Sequence, residues 1–330
     1  MKTTRAGRLS VLTAGSALVL AVAQRLAADA TAHAEIAAGQ LPPRLLSPWH
    51  AVSAPSTTAD FGDVAYGGGT FIVTGGFLGG GVLLSRDLGA TWQPVDIGAT
   101  NRLRDVAYGN GTFVGITWNE GVMTSADGST WASHPAPADA GFEYVGFEQG
   151  VFVAYGAKAA LSTNGVDWTV GSVPIPANLG RVAHGFGVFA GVAGDYHIAD
   201  AGKILTSQDG LLWESAGVDT DTLNGIAFDG TRFVAVGGDG FFSGLVLTST
   251  NGVDWVTQTP PPSLALEGIA WGHGVFVTVG WQWETLIATS TDGAAWNVEK
   301  PPTVATLHAV AYGDGTFVAA GSQGVILRAW

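Results

Sequence analysis

Side chains that could do chemistry are few here, because only 12% of the 330 residues are charged. Six of the charged ones recur at one place: the pair of residues ahead of a short apolar run containing Val or Ile. In chain order these pairs are Gly62-Asp63, Arg104-Asp105, Glu143-Tyr144, Gly180-Arg181, Asn224-Gly225, Glu267-Gly268 and His308-Ala309. Carboxylates brought together this way could act as general acid and base. Glu143 and Glu267, with Asp63 and Asp105, would be the set for cleaving a glycosidic bond. Arg104, Arg181 and His308 are candidate binding residues at the same place. A second set is aromatic: Trp118, Tyr196, Phe241, Phe242, Trp281 and Trp283 fall in variable stretches between apolar runs. Such rings can stack on a sugar or anchor a protein partner. Neither a Gly-x-Ser-x-Gly elbow nor a His-Glu-x-x-His pair occurs. The pairs Asp219/Asp221 and Asp195/Asp200 do not complete a calcium loop. With no cysteine in the chain, thiolate metal sites and disulfides are excluded. No metal and no cofactor are expected.

These residues are positioned by a repeat. A phenylalanine after a small turn recurs at Phe71, Phe113, Phe152, Phe189, Phe233, Phe276 and Phe317, at intervals of 37 to 44 residues. Each unit has an apolar run, a glycine turn such as Asn110-Gly111 or Asp314-Gly315, a second run, a variable loop, a third run, a polar turn and a tryptophan. Four short β runs in about 40 residues is the arithmetic of a propeller blade. The runs are apolar without clean alternation, as sheets covered on both faces should be. The expectation is therefore an all-β, seven-bladed β-propeller of four-stranded blades over residues 41–330. The seventh unit lacks a fourth strand. The stretch around 45–53, with Trp49, matches that strand and is expected to close the last blade. Asn110-Gly111-Thr112 also matches a glycosylation acceptor, but the turn reading is preferred.

The turn before each tryptophan reads Ser85-Arg86-Asp87-Leu88-Gly89-Ala90-Thr91-Trp92. Ser125-Ala126-Asp127-Gly128, Ser207-Gln208-Asp209-Gly210 and Ser290-Thr291-Asp292-Gly293 are close variants. Ser162-Thr163-Asn164-Gly165 and Ser249-Thr250-Asn251-Gly252 carry Asn for Asp. These turns resemble the aspartate box of bacterial neuraminidase repeat proteins. That family includes sialidases, other glycosidases, photosystem assembly factors and secreted proteins of no known activity. The resemblance implies a propeller more firmly than it implies any one task. Sialidases of this kind have six blades and an Arg-Ile-Pro motif, and Pro43-Arg44-Leu45 does not match it.

Lys2, Arg5 and Arg8 precede an apolar run of fifteen residues, Leu9 to Ala23, with small-residue sites ending at Ala23 and Ala34. This is a secretory leader pattern over residues 1–34. The net charge is −13, and removing that leader would take away Lys2, Arg5, Arg8 and Arg25 but only one acid, Asp29. Nucleic acid and anionic membrane surfaces would be repelled. The sequence thus predicts a secreted or periplasmic monomer, not inserted in a membrane once the leader is cleaved. It would bind a glycan or an extracellular protein through its variable loop face. A glycoside hydrolase and a protein-assembly factor are the alternatives.

Overall fold

The computed structural model describes residues 46–55, 60–75, 81–98, 101–172, 179–193, 202–238, 243–263, 265–282 and 284–330. The leader, Tyr196, Phe241, Phe242 and Trp283 lie outside them.

Seven four-stranded antiparallel sheets follow one another along the chain. Their inner strands are Phe61–Gly67, Leu103–Gly109, Phe142–Glu148, Leu179–Gly185, Leu223–Phe228, Ala265–Gly272 and Leu307–Gly313. Each inner strand packs on the next, and the last packs on the first, so the ring is closed. The second strands are buried along their length at Thr70–Gly75, Val151–Gly156, Phe233–Gly238 and Thr316–Gly321. This explains the unbroken apolar runs of the sequence.

The recurrent phenylalanine has a definite partner. In every blade it faces, across the strand pair, a ring at the end of the inner strand. Tyr66 meets Phe71 at 4.5 Å and Tyr312 meets Phe317 at 4.8 Å, with the same pairing in between. Such pairs contribute about 0.5–1.5 kcal/mol beyond their buried area. The inner ring also lies over the glycine of the preceding blade. A Cβ on Gly67 would fall 1.9 Å from the Tyr108 ring, and one on Gly313 would fall 2.0 Å from Tyr66. Glycine is therefore dictated by the blade-to-blade approach.

The turns after several inner strands add clasps between blades. Asn110 and Gly111 have φ of 49° and 78°, the left-handed pair a two-residue hairpin needs. Asn110 Nδ2 then donates to Gly150 O in the next blade at 2.9 Å, which engages the amide in the turn. Gln149 reaches His184, His273 reaches Gly315 O, and Tyr66 donates to Asp314 at 2.6 Å. Phe186 does the same with an edge-to-face apolar contact, its ring centre 5.2 Å from that of Phe228.

The polar turns between third and fourth strands are self-contained. Asp127 Oδ1 accepts the N–H of Ser129 and of Thr130, and these bonds, with that of the Ser129 hydroxyl, hold its carboxyl well below the usual carboxylate range. Trp92, Trp131, Trp168, Trp213 and Trp255 each donate Nε1 to the carbonyl of the turn glycine, as Trp92 does to Gly89 O, whereas the buried Trp296 Nε1 does not.

Closure is by the N-terminal strand. His50–Val52 pairs with Ile326–Ala329 and completes the last sheet. Ser47 and Trp330 exchange hydrogen bonds at 2.8 and 2.9 Å, and His50 stacks on Trp330. Trp49 is buried in the cluster with Val277, Leu307 and Phe317.

Candidate functional site

All seven inner strands slip register by one residue near their start. The extra residues are Gly62, Arg104, Glu143, Gly180, Asn224, Glu267 and His308. A bulge puts two residues opposite one and re-aims the side chains beside it. Each charged pair read from the sequence thus sits on a bulge, at the channel mouth on the variable-loop face.

The residue after the bulge divides the channel. In blades one to four it is Asp63, Asp105, Tyr144 and Arg181. In blades five to seven it is Gly225, Gly268 and Ala309. The first four form a plug. Arg181 crosses the channel to blades one and two, pairing with Asp63 at 2.9 Å through one nitrogen and with Asp105 through the other. Asp63 Oδ2 also accepts the Val106 N–H, and Asp105 Oδ2 that of Val145. One guanidinium therefore ties two carboxylates that already bridge adjacent blades. Burial pushes the Asp63 carboxyl up, against the pull of Arg181. The two carboxylates in turn hold the Arg181 guanidinium firmly protonated despite its partial burial.

A stack leads from this plug to the surface. Arg181 lies 5.2 Å from the Tyr144 ring centre, and Arg104 lies 4.9 Å from that same centre. Arg104 is also 4.8 Å from the Trp118 ring. Rings and guanidinium groups thus alternate: Trp118, Arg104, Tyr144, Arg181. Cation–π contacts contribute about 0.5–2 kcal/mol each, depending on desolvation. Glu143 fixes the stack from the side, accepting from Arg104 Nη2 at 2.6 Å. Tyr144 Oη accepts from the same nitrogen. Trp118 comes from the loop between second and third strands, and its backbone N–H donates to Arg102 O.

The central channel holds a cavity of about 220 Å³, lined by the inner strands of all seven blades. Asp63, Arg181, Asn224, Glu267, His308 and Tyr155 line it. Glu143 is engaged with Arg104 and is not among the described lining residues. Burial lowers the His308 imidazole pKa, against a smaller opposing pull from Asp60. Trp281 is the penultimate residue of the second strand of blade six, partly buried, opposite Thr285. Among the described residues no group of three His, Asp or Glu is arranged to hold a metal ion, and no helix is long and apolar enough to cross a membrane.

With this geometry the chain can be set beside known structures. No protein-family model matches it, and no curated protein matches its sequence. Solved structures do match in fold. A structure described as YCF48 bound to D1 peptide is similar at TM-score 0.68 and 15% identity, over 88% of this chain and 99% of that one. YCF48 from Cyanidioschyzon merolae gives 0.63 and 16%, over 86% and 98%. A streptogramin B lyase gives 0.71 and 11%, over 88% and 99%. These likenesses establish the propeller and no task.

One ionisable group off this mouth was missed by sequence reasoning. Glu148 ends the blade-three inner strand, where five other blades have glycine. The broken glycine pattern was the available signal. Glu148 is half-buried, accepts the His184 backbone N–H, and burial pushes its carboxyl up to about 8. The folded state therefore keeps a proton that the unfolded chain releases near its ordinary value of 4.5. That contribution is complete below pH 4.5 and is lost progressively as pH rises to about 8. The fall in thermal midpoint between pH 5 and pH 8.5 is expected to be smaller in Glu148→Gln than in the parent. An equal fall in both would show that Glu148 titrates normally.

Proposed function

We propose that this protein is a non-catalytic binding propeller for a protein partner, in the manner of an assembly factor. An extended peptide segment would dock on the variable-loop face at the channel mouth. The observation that carries the reading is the stack of Trp118, Arg104, Tyr144 and Arg181. Tryptophan, tyrosine and arginine in a fixed arrangement dominate protein–protein binding energy, because little side-chain entropy remains to be lost. Among the described residues, Arg104 Nε and Nη1 make no hydrogen bond, and its guanidinium keeps partial exposure. Peptide carbonyl groups suit those donors. The likeness to a propeller described with a bound peptide supports a protein partner.

The hydrolase alternative is weaker. Asp63, Asp105 and Glu143 are all committed to arginines, which opposes proton exchange with a substrate. Glycan binding is also less favoured, since Arg104 covers one face of Trp118. The leader pattern and the aspartate-box resemblance fit a secreted repeat protein.

A displayed random-peptide library panned on the full chain, followed by calorimetry on the selected peptide, tests this. Trp118→Ala and Arg104→Ala are each expected to lower affinity at least tenfold, about 1.4 kcal/mol. Leu212→Ser, at an exposed site on the opposite face, should leave it unchanged. Equal affinity in all three variants would overturn the reading. A hit on a glycan array with no peptide selected would replace it with the glycan reading.

A further inference from the structure

On the face opposite the channel mouth, the turn after the inner strand of blade four departs from its counterparts. Its first central residue is Phe186, where the other turns of this type have Gly68, Asn110, Gln149, His273 and Asp314. Phe186 has a φ of 53°, a left-handed conformation that a bulky side chain rarely adopts. It meets Phe228 and Phe233 edge-to-face, with ring centres 5.2 and 6.2 Å apart. These contacts leave the ring 53% exposed. Closing a blade junction does not require such a residue, since Asn110 and His273 do so with polar groups. An exposed aromatic ring kept in a disfavoured backbone region is a pointer to function.

Phe186 does not stand alone. Gly252, in the polar turn of blade five, packs on Phe233, for a Cβ there would fall 3.1 Å from that ring. The next residue, Val253, is 45% exposed, and Phe228 is half-buried. Phe186, Phe228 and Val253 therefore form an apolar patch with the Phe233 ring beneath it. Acids border the patch: Asp229 follows Phe228, Asp254 follows Val253, and Asp209 lies in the polar turn of blade four. The arginines of this face are already engaged among the described residues. Arg86, Arg232 and Arg328 each donate to a backbone carbonyl of the next blade, at Asp127, Asp292 and Leu88. Arg232 also pairs with Asp229 at 3.4 Å, which leaves Asp254 and Asp209 without a cation among the described residues. The whole chain is at −13.

We infer that this patch docks a basic segment of a partner protein, with an apolar residue of that segment seated against Phe186. The choice of occupant follows from charge. Lysine or arginine beside the apolar anchor would meet the bordering acids, and one of them could lie over the face of the Phe186 ring. A second copy of this chain, itself strongly negative, would be repelled, and so would an anionic membrane surface. This surface is separate from the peptide site at the channel mouth, and neither depends on the other.

Three acetylated and amidated heptapeptides test this by calorimetry on the full chain. One alternates lysine with leucine, the second lysine with serine, and the third glutamate with leucine. The lysine–leucine peptide is expected to bind, more weakly as salt is raised, and the other two at least about tenfold more weakly. Phe186→Asn should weaken the lysine–leucine peptide by the same factor without lowering the thermal midpoint, because asparagine suits a left-handed φ and holds the equivalent place in blade two as Asn110. Val253→Ser is a second lesion, since the bond from Val253 N to Asn251 does not involve its side chain. Asp254→Asn, which can still accept from Asn251 Nδ2, should also reduce affinity and flatten the salt dependence. Failure of the lysine–leucine peptide to bind would overturn the inference, as would equal binding of the glutamate–leucine peptide. A lower midpoint in Phe186→Asn with unchanged affinity in it and in Val253→Ser would also overturn it, and would make Phe186 a blade clasp alone. Trp118→Ala should leave the lysine–leucine peptide unaffected, so loss of either site is read without the other.

Discussion

Arg181→Ala is expected to destabilise the propeller by about 3–5 kcal/mol, the range for removing one partner of a buried ion pair. The side chain is itself partly exposed, so lost packing is not the cause. The cost arises at Asp63 and Asp105, which are buried and would be left without their cation. Each also holds a backbone N–H of the next blade, so water entering to solvate them would loosen two blade junctions. The combined variant Arg181→Met, Asp63→Asn, Asp105→Asn should recover most of the loss. Asparagine can still accept the Val106 and Val145 N–H groups, and no charge remains to be desolvated. Chemical denaturation of both variants measures this. If the triple variant were no more stable than the single one, the ion-pair account of the plug would be wrong.

Deleting residues 41–55 is the second large effect. It removes His50–Val52, whose pairing with Ile326–Ala329 completes the last blade. It also removes Trp49, buried at 6% exposure among Val277, Leu307 and Phe317. Loss of a buried tryptophan alone costs about 3–5 kcal/mol, and for a domain of this size that corresponds to a midpoint drop of about 10 °C. The unpaired edge of Ile326–Ala329 would add a site for aggregation. The thermal midpoint and the sharpness of the transition are the readouts. An unchanged midpoint would mean the ring does not depend on this strand for closure.

The fold was legible in the sequence because the blade is written seven times. The interval between phenylalanines gave the period, and a tryptophan near each end of the chain located the shared blade. The ring at the end of an inner strand and the glycine after it were also visible, as Tyr66-Gly67 or Tyr312-Gly313, although their meaning required two blades in contact, since each ring covers the glycine of the preceding blade. The mouth was legible as a place but not as a set of pairings. Arg181 and Asp63 are 118 residues apart, and no local pattern joins them. The stack was half visible. Arg104 and Trp118 were both candidates, whereas Tyr144 was noted only as the neighbour of Glu143. Its position between two guanidinium groups depends on how three blades are rotated about the axis. The seven bulges left no sequence trace, because the residue inserted at them differs in type from blade to blade.

The account centres on where the partner sits. Hydrogen–deuterium exchange of the full chain, with and without its selected peptide, tests this most directly. Slower exchange is predicted in segments 102–105, 117–121 and 142–145, which carry Arg104, Trp118 and Tyr144. Protection confined to the opposite-face turns, at 109–112, 148–151 and 313–316, would contradict it.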